Sequence, residues 1–139
     1  MELAGNLRTE DWAEMWACYR LPVEKALSLC IRRSLQSWTV LCSGKVIAIA
    51  GIEPLSILGN KACIWSWTSK EVLHHKKSFW RLSQIMLNQF RRQYSTLYAA
   101  CDKRYQMAHR YLQRLGACQT GESFYLAGKE TEFILYQWM

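Results

Sequence analysis

The ten residues Ala108-His109-Arg110-Tyr111-Leu112-Gln113-Arg114-Leu115-Gly116-Ala117 decide the fold. Ala108, Tyr111, Leu112 and Leu115 recur at helical spacing, so the stretch reads as the end of an amphipathic helix. Gly116 follows the last apolar position. A glycine there can take the left-handed conformation that closes a helix and releases the chain into an extended segment. From Ala117 to Leu126 the sequence reads as a strand. The stretch is a helix-to-strand junction, and the remaining elements have to be arranged around it.

Toward the N-terminus, the junction helix is expected to start at Lys103 with Asp102 as its N-cap. Thr96 to Cys101 is a short strand. Before it, Phe79, Leu82, Ile85, Met86 and Phe90 mark one face of a helix from about Lys76 to Tyr94. Ala62 to Thr68 is a strand with an alternating stretch. A loop with Gly59-Asn60 and the break at Glu53-Pro54 separate it from a strand over Val46 to Glu53. The turn Ser43-Gly44-Lys45 leads back to a strand over Trp38 to Cys42. Pro22 opens a preceding helix whose stripe is Val23, Ala26, Leu27, Cys30, Ile31 and Leu35. The first helix covers 9–20, with Thr9 as N-cap and Trp12, Met15, Trp16 and Tyr19 on its apolar face. Toward the C-terminus, a turn at Gly128-Lys129 joins the junction strand to a last strand, Glu132 to Trp138.

The order is helix, helix, three strands, helix, strand, helix, two strands. It implies one domain over residues 1–139, a mixed sheet with helices on its faces. The long helix between the strand ending at Thr68 and the strand at Leu97 makes those two strands parallel neighbours.

Composition agrees with a packed domain. Half of the 139 residues are hydrophobic and 13% are aromatic, which argues against disorder. The longest apolar run, roughly Val46 to Ile52, is far shorter than the about 20 residues a bilayer span needs. The N-terminus lacks the layout of a signal peptide, so a cytoplasmic protein without a membrane partner is expected. No two of the six cysteines form a CxxC pair, so they read as reduced core residues rather than as a metal site. The formal charge of +7 suits an anionic partner.

With that element order, the Leu115-Gly116-Ala117 step resembles the penultimate motif of the GNAT N-acetyltransferase superfamily. A closer resemblance is to the small GNAT-like proteins of short-tailed bacteriophages, of the internal virion protein A type. It rests on Ile64-Trp65-Ser66-Trp67-Thr68-Ser69-Lys70-Glu71-Val72, Lys76-Lys77-Ser78-Phe79-Trp80-Arg81 and Tyr94-Ser95-Thr96-Leu97-Tyr98. The resemblance implies an α/β sheet of six to seven strands flanked by about four helices. It also implies acetyl-CoA or CoA lying in a splay between two parallel strands, its pyrophosphate on backbone N–H groups at the start of the crossover helix. Carried onto this chain, the cofactor would meet Trp67 and Thr68 on the strand edge, and His75, Lys76, Lys77 and Ser78 at the helix start. Lys77 and Phe79 stand where the family loop has glycines; Lys76 and Lys77 offer charge instead. Leu112 stands where the family often has its acid tyrosine; Tyr111, one residue earlier and about 100° around the helix, is the candidate acid or a core residue, and Glu53 is the candidate base, with Glu71, His74 and His75 in the loop as alternatives.

The implied function is transfer of an acetyl group from acyl-CoA to an amine. The alternative is a non-catalytic protein of the same fold that docks on a host or virion protein, in the host cytoplasm or the virion, with Trp12, Trp16 and Trp38 as anchors. A third class is nucleic-acid binding through Arg91-Arg92, Lys103-Arg104, Arg110 and Arg114. It is the weakest, because no nucleic-acid motif is present and most tryptophans fall on apolar faces.

Overall fold

The computed structural model describes residues 2–55, 59–126 and 130–139. The elements are α1 (Glu2–Asn6), α2 (Thr9–Tyr19), α3 (Val23–Arg33), β1 (Gln36–Cys42), β2 (Lys45–Pro54), β3 (Lys61–Thr68), a 3-10 turn (Lys70–His74), α4 (Lys76–Gln93), β4 (Thr96–Asp102), α5 (Gln106–Arg114), β5 (Cys118–Tyr125) and β6 (Glu132–Trp138). The expected turn at Gly128-Lys129 lies outside the described residues.

The junction closes as its glycine suggests. Gly116 has φ +95°. Its N–H donates to the Gln113 carbonyl and the Ala117 N–H donates to the Leu112 carbonyl, both at 3.0 Å. That pair of bonds is a Schellman motif, which satisfies two carbonyls the helix end would leave bare. Trp138 Nε1 donates to the Leu115 carbonyl at 3.0 Å and ties the same turn to β6.

The six strands form one sheet in the order β1-β2-β3-β4-β6-β5. All neighbours are antiparallel except β3 and β4, which are parallel, as a crossover through α4 requires. One face is covered by α1, α2 and α3, where Leu3, Leu7, Met15, Ala26, Leu27 and Cys30 pack on Ile49 and Trp67. On the other face, Leu87 and Phe90 of α4 pack on Ile52, Ala62, Leu97, Tyr136 and Trp138, and α5 adds Ala108 and Leu112. The mixed sheet with helices on both faces is the expected architecture.

Several local expectations need correction. Thr9 is the first residue of α2, and Arg8, in extended conformation, holds the N-cap position. Asp102 does not cap a helix. It ends β4, and its Oδ1 accepts the Arg104 N–H at 2.8 Å, so the chain turns once before α5 begins at Gln106. On α2, Trp12 and Trp16 are exposed, and the buried residues are Asp11, Met15 and Ala17. Apolar periodicity could not find that face because a carboxylate lies at its centre. On α4, Ile85 is exposed and Leu87 is buried instead. Ile31 and Leu35 of the third expected stripe are exposed as well. Trp38 packs on Phe90, ring centroids 5.3 Å apart.

Candidate functional site

Among the described residues, β3 and β4 pair only where Lys61–Cys63 meet Thr96–Tyr98. Beyond that each strand keeps its outer neighbour, β2 or β6, and the two part company. The direction of the backbone then decides which amides face the gap. Ser69 N–H donates to Ile47 of β2, and Lys103 N–H donates to Glu132 of the β6 strand. Amides alternate along a strand, so those of Thr68 and Asp102, one residue earlier, point the opposite way, into the splay. By the same alternation Ile64 and Ser66 face the splay.

Helix α2 supplies acceptors for both strand ends. Asp11 and Glu14 are three residues apart and share a face. Asp11 Oδ2 accepts the Thr68 N–H at 2.5 Å and the Thr68 hydroxyl at 2.9 Å. Glu14 Oε2 accepts the Asp102 N–H at 2.9 Å. Tyr105 donates its hydroxyl to Asp11 Oδ1 at 2.6 Å, and Arg8 Nη1 donates to the Tyr105 oxygen at 2.9 Å. The Arg8 backbone N–H reaches the Thr68 carbonyl at 3.1 Å, beside a bridge between Leu7 and Ser69. The N-terminal segment thus crosses the wide end of the splay and clasps both strands.

Burial makes this cluster chemically unusual. Glu14 is pushed up to about 8, first by burial and then by the nearby Asp11 and Asp102 carboxylates, against the pull of the Asp102 amide. Burial also raises Asp11, opposed by its bonds to Tyr105 and Thr68. Tyr105 is raised far above the ordinary phenol range by burial and by the Asp11 carboxylate. A carboxyl pushed up to about 8 and a phenol that keeps its proton therefore both stand near the Asp11 carboxylate.

The second half of the site is the start of α4. The amides of Lys76, Lys77 and Ser78 precede the first helical bond, from Phe79 N–H to the His75 carbonyl. All three side chains are exposed, and no side chain caps the helix. That is a fitting cradle for phosphate oxygens. Phe79 does not stand over it. It turns inward with Leu82 against Val40, Ile47 and Ala48, and its ring lies 5.7 Å from Tyr111. His75 is engaged by Cys42, Sγ to Nδ1 3.0 Å.

The other sequence candidates fall in separate places. Thr68 is in the clasp. Trp67 is buried between the sheet and α2–α3, and its backbone faces β2. Tyr111 links the helices of the opposite face. Its hydroxyl donates to Ser83 Oγ at 2.5 Å, its ring meets Trp80 edge-on, and burial pushes it up to about 12. Glu53 pairs with Cys63 on β2, at the end of the sheet where β3 and β4 are still joined. The basic strip is partly committed: Arg104 to Asp102, Lys103 to Glu132, and Arg114 over Trp80. Sequence reasoning missed Asp11, Glu14 and Tyr105. The available signal was two carboxylates three apart on a helix that buries one face. No group of three or more His, Cys, Asp or Glu able to hold a metal ion occurs among the described residues, and no helix there is long and apolar enough to cross a membrane.

No protein-family model and no curated protein matches the chain. Solved structures do. The smu.2055 protein of Streptococcus mutans UA159 superposes with a TM-score of 0.67 at 16% identity, covering 85% of this chain and 79% of that one. An acetyltransferase of Bacillus subtilis in complex with CoA gives 0.63 at 11% identity, covering 90% of each chain. The fold is the GNAT fold. An N-acetyltransferase of Staphylococcus aureus Mu50 gives 0.62 at 10% identity over 85% of this chain and 78% of its own. In GNAT terms, the parted β3 and β4 are the splayed strands and α4 is the crossover helix. At identities this low the likeness speaks for the fold.

Proposed function

We propose that this chain binds acyl-CoA in the splay between β3 and β4 and transfers the acyl group to an amine. The observation that carries this reading is the clasp at the wide end of the splay, where Glu14 accepts the Asp102 amide and Tyr105 donates to Asp11, the neighbouring carboxylate of the same helix. One carboxyl exchanges its proton near neutral pH and one hydroxyl stays protonated, which are the two properties acyl transfer to an amine requires. Bound acyl-CoA would supply an activated acyl group. The amides of Lys76, Lys77 and Ser78, with the two lysine ammonium groups, would hold its phosphates. The splay-facing amides of Ile64 and Ser66 would line its arm, since that of Thr68 is committed to Asp11. Glu14 Oε would take a proton from the amine; Tyr105 Oη would give one. Asp11 fixes the Tyr105 hydroxyl, and Arg8 fixes its oxygen. Tyr111 and Glu53, the candidates from sequence, remain proposals for the same two roles.

Calorimetry with acetyl-CoA and CoA tests the binding step. Heat is expected in the micromolar range, and none at high micromolar ligand sinks the cofactor reading. Turnover with an amine panel then ranks the residues. Glu14→Gln is expected to lower kcat by about 10²-fold or more. Tyr105→Phe should lower it and Tyr111→Phe should not; the reverse result would assign the acid to Tyr111.

A second reading rests on a different observation. Trp12 and Trp16 stack at 6.4 Å on the outer face of α2, 51% and 41% exposed. The Arg20 guanidinium lies 5.3 Å from the Trp16 ring. A hollow of about 280 Å³ opens beside them, lined by Trp12, Met15, Trp16, Arg20, Leu21, Pro22 and Val23. Paired exposed indoles with an arginine are the usual anchors of a protein interface. Together with the phage resemblance they favour docking on a host or virion protein. Retention of a partner from host lysate, lost in the Trp12→Ala/Trp16→Ala double variant, is the expected result. Failure to retain any partner reproducibly counts against this reading.

A further inference from the structure

The six cysteines differ in their surroundings. Burial pushes the thiols of Cys18, Cys63 and Cys101 up, Cys63 to about 12. Cys30 is buried against the Tyr19 hydroxyl at 3.1 Å. Cys118 is exposed at the start of β5. Cys42 combines what the others lack. It is half-buried at the end of β1, an edge strand of the sheet, on the face where Phe79 and Leu82 of α4 pack. Its Sγ lies 3.0 Å from Nδ1 of His75. A thiol and an imidazole in hydrogen-bond reach make a nucleophile with its base.

His75 is held in place by its backbone. Its N–H donates to the Val72 carbonyl and its carbonyl accepts the first bond of α4, each at 3.0 Å. The imidazole, and the sulfur beside it, therefore sit at the positive end of an 18-residue helix. Exposed Lys76 and Lys77 follow directly, and Lys45 faces Cys42 in the hairpin register. Lys45 also pairs with Glu71 at 3.6 Å, so one carboxylate stands among these cations.

We propose that Cys42 is a site of thiol–disulfide exchange with anionic low-molecular-weight disulfides, with His75 as its base. Cys42 gives its proton to Nδ1 of His75. The thiolate attacks one sulfur of the disulfide. A bond forms between Cys42 and that sulfur as the original S–S bond breaks, and the displaced thiolate takes the proton back from His75. Cys42 is oxidised, the displaced half is reduced, and nothing else is consumed. The reaction needs no CoA and stands independently of the acyl-transfer reading.

The test uses the whole native protein with glutathione disulfide, without CoA, and follows each cysteine by alkylation and peptide mass mapping. Cys42 is expected to form the mixed disulfide first, at least about tenfold faster than the more exposed Cys118. His75→Gln should slow Cys42 about tenfold and leave Cys118 unchanged. Neutral hydroxyethyl disulfide should react more slowly than glutathione disulfide at low salt, and the difference should shrink at high salt. Cys118 reacting as fast as Cys42 in the parent protein overturns the proposal, whatever the variants do. Equal rates for the neutral and anionic disulfides overturn the anionic class, and an unchanged Cys42 rate in His75→Gln removes the base.

Discussion

Gly116 and Gly51 are glycines for different physical reasons. At Gly116 the backbone is left-handed, φ +95°, while an added Cβ would meet nothing nearer than Trp138 Cδ1 at 4.0 Å. Gly116→Ala should therefore cost only the conformational strain, about 1–2 kcal/mol, read as a lower urea midpoint with unchanged slope. At Gly51 the backbone is ordinary, but a Cβ would come within 2.5 Å of the Trp65 ring and 2.9 Å of the Gln36 carbonyl. Gly51→Ala should cost more, about 2–3 kcal/mol, because β1 and the indole must both move. Glu14 makes a prediction about pH. It releases its proton near 4.5 when unfolded and about 8 when folded. The folded chain holds the extra proton between those values, so its contribution is full below about pH 4.5 and is lost as pH rises through 8. Glu14→Gln should hold the melting temperature up between pH 6 and 9, by roughly 5 °C or more at the alkaline end relative to the parent. An equal decline in both proteins would mean that Glu14 is ordinarily ionised.

At the scale of elements, α2 is the joint between the two sides of the splay. Asp11 accepts from a backbone amide and a hydroxyl at the end of β3 and from a phenol in the turn before α5. Asp11→Ala should leave those donors buried and unpaired and cost about 2–4 kcal/mol by denaturant titration. Tyr111→Phe removes one hydroxyl bond and keeps the ring contacts with Phe79 and Trp80, so it should cost no more than about 1 kcal/mol. Elements were legible in the sequence wherever apolar residues alone set the face. The strands and α4 fall within a few residues of expectation, and Gly116 caps α5 because only its own conformation was in question. The face of α2 was not legible. Periodicity assigns tryptophan inward and aspartate outward, whereas Asp11 is buried because Thr68 and Tyr105, far away in sequence, receive it. Asp102 was misread for a local reason: its side chain closes on Arg104, two residues on, rather than on a helix start.

For the whole molecule, the crossover rule was enough to place β3 beside β4 as a parallel pair, the apolar stripe put the helix start near Lys76, and the splay between the strands was what the family resemblance implied. The chemistry inside the splay did not follow, because it comes from a segment more than fifty residues away in sequence. Local pattern carries no information about which distant amide a carboxylate will meet. The sheet itself has an uneven strength. Six strands are joined into one, yet its two three-stranded halves, β1-β2-β3 and β4-β6-β5, share only the short register Lys61–Cys63 with Thr96–Tyr98. Amide hydrogen exchange should therefore resolve two cooperative units rather than one. Thr68 and Asp102, the last residues of their strands, would ordinarily exchange early by fraying. Here they should be among the slowly exchanging amides, because each donates to a buried carboxylate of α2, and both should speed up together when that helix lifts.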